Sequence, residues 1–162
     1  NHLLTQLQFI CVGSAEAVAK WTAVTSITIK NITTELTLSL DKTTGASLTA
    51  IGVANKSLLV KNCPAAVSVV GQATPRTGYL MLYPVADMGT VAAAIDLEVK
   101  ATYGGEVKTL PVSITNIDGG VQAGQSHLIT LTFAEDGTII AEAGIAVWQP
   151  GNGGSSIITP GE

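Results

Sequence analysis

Charge and aromaticity are both scarce in this 162-residue chain: charged residues make up 12% and aromatic ones 4%. The charged share is about half the usual quarter. Disordered chains are poor in hydrophobics and rich in net charge, whereas this chain is 46% apolar with a net charge of only -4. A disordered chain is therefore excluded. Arginine occurs once, as Arg76, and lysines form no cluster. A nucleic-acid partner requires a basic footprint, so none is expected. Apolar runs fall short of the ~18–20 residues that a membrane helix needs, so no transmembrane segment is expected.

Histidine and cysteine occur twice each, as His2, His127, Cys11 and Cys63. A nucleophilic triad needs a base placed beside a nucleophile, yet one histidine sits at the terminus and the other opens an expected strand. No Gly-x-Ser-x-Gly stretch is found, and catalysis is not expected. Zinc takes about four ligands at suitable spacing, and the two cysteines are far apart in sequence. Cys11 and Cys63 allow one disulfide or two buried thiols. Acidic residues fall in isolated turns such as Glu135-Asp136-Gly137 rather than in a calcium loop. We expect no metal, no cofactor and no enzymatic activity.

What the chain does have is period-two alternation. Leu7, Phe9 and Cys11 share one face, as do Ile27 and Ile29. Leu36, Leu38 and Leu40 oppose Glu35, Thr37 and Ser39. Ile95, Leu97, Val99, Ala101 and Tyr103 oppose Asp96, Glu98, Lys100 and Thr102, and Ile129, Leu131 and Phe133 share a further such face. Alternation of this kind marks strands with one buried and one wet face. Gly104-Gly105 and Glu135 to Gly137 read as hairpin turns. Pro111 cannot donate to a ladder, so its strand is expected at an edge or with a bulge. The stretch from Ser14 to Trp21 could form one helical turn with Ser14 as its cap, but a loop is the expected reading. Eight to ten short strands with no alternating helices predict an all-β fold, an antiparallel β-sandwich with Greek-key connections.

The sandwich is expected to occupy residues 1–150 as one domain, with 151–162 a flexible Gly/Ser-rich tail. Ile145 and Val147 fall on one face of the last expected strand, and Trp148 falls on the other as a packing residue. Pro150 then stops the ladder. Beyond the tail's glycines, Ile157 and Ile158 are the apolar pair able to anchor elsewhere. Ile157, Ile158, Ile145, Val147 and Trp148 are the candidate interaction residues. Ligand binding by a sandwich would instead call for exposed aromatics, with Trp21, Tyr79 and Tyr83 as the cluster to watch.

Two stretches resemble a known family. The opening, from "NHLLTQLQF" to "ITIKNI", and the run from "YLMLYPVADMG" to "GIAVW" are similar to the C-terminal domain of the fimbrillins of Bacteroidales. Pro84, Ala123, Gly124, Ser126, Leu131, Phe133, Ile145 and Trp148 fall in the family's order. The resemblance covers most of the chain. It implies a transthyretin-like sandwich in a protein secreted to the bacterial cell surface, acting as stalk, tip or anchor of a pilus. The implied partners are other pilin subunits joined by β-strand exchange, with host glycans or proteins as the alternative for an adhesin. The family's lipobox cysteine, signal peptide and first domain have no counterpart in these 162 residues, and a removed leader or another domain is expected upstream of Asn1.

Overall fold

A computed structural model describes residues 2–71, 75 and 77–147. Among the described residues eleven strands and one short helix run in the order β1 (Thr5–Gly13), α1 (Ala15–Lys20), β2 (Trp21–Ile32), β3 (Leu36–Asp41), β4 (Gly45–Ala50), β5 (Lys56–Leu59), β6 (Ser68–Val69), β7 (Gly78–Leu82), β8 (Thr90–Tyr103), β9 (Glu106–Asn116), β10 (Ser126–Phe133) and β11 (Ile139–Ile145). The all-β sandwich read from the alternation is the fold that forms.

Two sheets face each other. Sheet B runs β5-β2-β8-β9 and is antiparallel throughout. Sheet A runs β11-β10-β1, with β7 and β6 sharing the far side of β1. Within it β1 is antiparallel to β7 but parallel to β10 and to β6. The parallel contact between β1 and β10 joins residues about 120 positions apart, with Gln6 beside Ser126 and Gly13 beside Phe133. No hairpin turn could make that connection, because parallel neighbours need a crossover.

The inward faces are those marked by the alternation. Leu7, Phe9 and Cys11 from β1 meet Ile129 and Leu131 from β10, and all are fully buried. Ile27, Leu97, Val99 and Ile114 close the core from sheet B. In β2 the buried positions are Trp21, Val24, Ile27, Ile29 and Ile32, a spacing that strict alternation does not produce. Register shifts lie between Trp21 and Ala23 and again between Val24 and Ser26. The first turns Val24 inward and the second restores the inward aim of Ile27, since each inserted residue exchanges the faces of the residues after it.

Two readings of the sequence change. The stretch after Ser14 is a helix rather than a loop. Ser14 caps it by accepting from the Ala17 N–H at 3.1 Å, and the strong helix formers Ala15, Glu16, Ala17 and Ala19 come next. The apolar face of β3 is not buried. β3 pairs with β4 alone in a separate two-stranded ribbon, leaving Leu38 at 55% and Leu40 at 79% exposure. Alternation reports that one face differs from the other; it does not supply a partner layer.

Candidate functional site

The poles of the sandwich differ. At one, Trp21 packs on Tyr103 and Phe133, with centroids 4.8 and 5.0 Å away. Its indole N–H donates to the Ala134 carbonyl at 2.8 Å, and the Tyr103 hydroxyl donates to the Glu135 carbonyl at 2.7 Å. Lys20 bridges to the Glu135 carboxylate at 2.8 Å, and the Lys108 ammonium lies 4.3 Å above the Tyr103 ring. These contacts tie helix α1, the start of β2 and two hairpins together. Aromatic surface here faces protein, not solvent.

The opposite pole holds the starts of β1 and β10, the end of β11 and the β3–β4 ribbon. Two of the sequence-derived candidates lie there. Ile145 is 93% exposed and Val147 81%, at and just beyond the end of β11. Trp148, Ile157, Ile158, Pro150 and the 151–162 tail lie outside the described residues. β11 hydrogen-bonds as a strand to β10 and is the edge of sheet A. β9 is the edge of sheet B and carries Pro111 opposite Glu98, as its missing donor requires.

Beside this edge the structure assembles a polar group that alternation assigned to solvent. Gln6 and Gln8 point away from the core, on the outer face of sheet A, yet are only 3% and 5% exposed. The Gln8 amide donates to Gln6 Oε1 at 3.2 Å, to the Ser126 hydroxyl at 3.0 Å and to the Val147 carbonyl at 2.6 Å. Ser126 in turn donates to Gln6 Oε1 at 3.1 Å. On the inner face of β10, His127 is 4% exposed, and its Nε2 has no hydrogen-bond partner. Burial lowers its pKa from 6.5 because it disfavours the charged imidazolium. Gln6 and Gln8 escaped the sequence reading, and Ser126 entered it only as a match to the family's order, because β1 meets β10 only through the parallel pairing.

The ribbon is a second feature the sequence did not locate. Leu36, Leu38 and Leu40 stand opposite Ala50, Leu48 and Ala46, so one face is wholly apolar. Thr37, Ser39 and Asp41 stand opposite Thr49, Ser47 and Gly45 on the other. Its tie to the body includes the Tyr83 hydroxyl, which donates to the Leu48 carbonyl at 3.4 Å.

The aromatic cluster that ligand binding would use does not come together. Trp21 is buried at the far pole, Tyr79 is 39% exposed on β7, and Tyr83 leans on the ribbon. A groove of about 500 Å³ lies on the outer face of sheet B. Its charged groups pair with neighbours: Lys30 with Glu98 at 3.7 Å, and the Ser113 hydroxyl with Asp96 at 3.1 Å. Among the described residues no cluster of three or more His, Cys, Asp or Glu side chains could hold a metal ion. None of the described helices is long and apolar enough to cross a membrane. Cys11 and Cys63 are thiols rather than a bridge. Burial pushes the Cys11 thiol far up, and the neighbouring Cys63 adds to it.

No family model and no curated protein matches this sequence. Solved structures do. A candidate cell adhesion protein from Bacteroides uniformis superposes with a TM-score of 0.59 at 17% identity, over 89% of this chain and 51% of its own. A second, from Bacteroides fragilis, gives 0.53 at 14% identity, over 93% and 47%. The likeness is one of fold. This chain spans about half the length of each of the two, and both come from Bacteroides and are described as candidates for cell adhesion.

Proposed function

We propose that this domain is a structural subunit of a bacterial surface pilus of fimbrillin type, working in stalk, tip or anchor position and joined to its neighbours by β-strand exchange. The observation that carries the reading is the pole where β11 ends. β11 is the edge strand of sheet A, with its Ala143 N–H taken by the Asn116 side chain at 3.2 Å, and at its end Ile145 and Val147 stand as two exposed apolar side chains at alternate positions. Strand addition uses such an edge for main-chain hydrogen bonds and alternate side chains for anchoring. The shared fold with candidate adhesion proteins of Bacteroides supports placement at the cell surface. The buried Trp21 and the self-paired sheet B groove favour a building block over a glycan-binding adhesin, because neither offers a sugar an aromatic platform.

The test is assembly. The protein in its complete natural form is compared with the same protein lacking Gly151 to Glu162. The expected result is that both unfold at nearly the same temperature while only the full form builds SDS-resistant ladders with its partner subunits. Equal ladders from both forms would overturn the role given to Ile157 and Ile158. Sedimentation as a monomer in the presence of all subunits would overturn the pilus reading.

A further inference from the structure

The chain contains two Asp-Gly steps, Asp118-Gly119 and Asp136-Gly137. Such a step can react with itself. The glycine nitrogen has no neighbouring side chain to shield it, and it reaches the carbonyl carbon of the preceding carboxyl when nitrogen, carboxyl and backbone are free to rotate. The fold treats the two steps in opposite ways.

At Asp136 each reacting part is held. Its Oδ1 accepts from the Thr138 hydroxyl at 2.7 Å and from the Thr138 N–H at 3.0 Å. These bonds keep the carboxyl below its ordinary pKa of 3.8, and so in the less reactive carboxylate form. The Gly137 N–H donates to the Ala134 carbonyl at 3.3 Å, and a Cβ on Gly137 would stand 3.3 Å from the Tyr103 ring. At Asp118 neither part is held. Asp118 and Gly119 are both exposed on the turn that follows β9. Among the described residues neither the Asp118 carboxyl nor the Gly119 N–H has a hydrogen-bond partner. A Cβ on Gly119 would meet only the Gln122 amide, at 3.8 Å. Both residues border an open cleft of about 460 Å³ between the start of β8 and the end of β9, so water reaches them. The turn is fixed one residue later. There the Gly120 N–H donates to the Ile117 carbonyl at 3.0 Å, and a Cβ would stand 3.1 Å from the Asp87 backbone.

We propose that Asp118 is a site of spontaneous isoaspartate formation, and that the turn around Asp136 protects that residue from the same reaction. The Gly119 nitrogen attacks the Asp118 side-chain carboxyl carbon. The new N–C bond forms, and the carboxyl's hydroxyl leaves with the amide proton as water. A second water then opens the succinimide ring. Opening at the main-chain carbonyl gives isoaspartate, and opening at the side-chain carbonyl restores aspartate. The product is an isomer of unchanged mass with one more methylene in the main chain, and the reaction consumes no oxidant or cofactor. The lengthened turn pulls against the Gly120–Ile117 hydrogen bond and loosens the join between β9 and β10. The proposal does not rest on pilus assembly.

Prolonged incubation of the full chain at mildly acidic pH tests it, in water labelled with heavy oxygen. Digestion with a protease that cleaves before aspartate but not before isoaspartate supplies the readout. The expected result is progressive loss of cleavage at Asp118, with heavy oxygen entering the peptide that carries it, while cleavage at Asp136 persists. Asp118→Glu abolishes the labelling there, because the longer side chain closes a ring far more slowly, and far-UV spectra confirm that the variant folds. In urea, where every contact of both turns is lost, the two sites are expected to react at comparable rates. Cleavage at Asp118 that persists in the folded chain but is lost in urea overturns the site. Equal loss at Asp118 and Asp136 in the folded chain overturns the protection. An Asp136 that stays slow in urea overturns it too, because the fold is then not its cause.

Discussion

Trp21 and Phe133 meet edge to face at 5.0 Å, with an interplanar angle of 81°. One opens the second strand of the chain and the other closes the tenth, so this pair pins sheet B to sheet A at the closed pole. Edge-to-face aromatic pairs contribute about 0.5–1.5 kcal/mol beyond area burial. Trp21 also satisfies the Ala134 carbonyl at 2.8 Å.

Trp21→Ala is therefore expected to destabilise the fold by about 3–5 kcal/mol, the range for removing a large buried aromatic. Trp21→Phe keeps the stacking and loses the indole donor, for a cost of about 1–3 kcal/mol. Urea unfolding at equilibrium measures both. A Trp21→Phe loss as large as that of Trp21→Ala would show that the hydrogen bond, not the packing, carries the contact.

His127 gives a pH dependence with a definite sign. Burial holds its folded-state pKa below 6.5, while the unfolded chain takes up the proton at about the ordinary value. The unfolded state therefore binds more protons as pH falls through and below 6.5. The stability conferred by a neutral His127 is complete above that value and is lost on acidification. Denaturation midpoints at pH 8 and pH 5 should fall toward the lower pH, and His127→Gln should flatten the difference. An equal slope in the variant would assign the effect to other groups.

The ribbon can be tested apart from the core. Leu38→Ser and Leu40→Ser change exposed positions and should shift stability by no more than about 0.5 kcal/mol. Their apolar face is available to partners, so binding of a hydrophobic dye should drop in the double variant while the melting temperature holds. A fall of several degrees would mean that the ribbon packs on the body in solution.

Much of the fold is legible from residues alone. The faces of β1, β8 and β10, the hairpins at Gly104-Gly105 and Glu135 to Gly137, and the edge position of the strand holding Pro111 all arise from local chemistry. Side-chain alternation, turn geometry and a missing donor act over a few residues, so short sequence windows carry them. The capped helix at Ser14 was equally local, but it is short enough that neither its pattern nor its cap outweighed the surrounding strand signal.

The rest was decided by long-range contact. Alternation in β1 gave Gln6 and Gln8 to solvent, and only the parallel docking of β10 and the crossing of Val147 bury them. Alternation in β3 gave Leu38 and Leu40 to a core, and only the tertiary arrangement leaves the ribbon without a layer to cover it. The sequence by itself determined which face of each strand is apolar, because that is a property of one strand. Whether that face meets a second sheet, the residues just after β11 or water depends on residues up to about 140 positions away, and the tertiary structure alone brings them together.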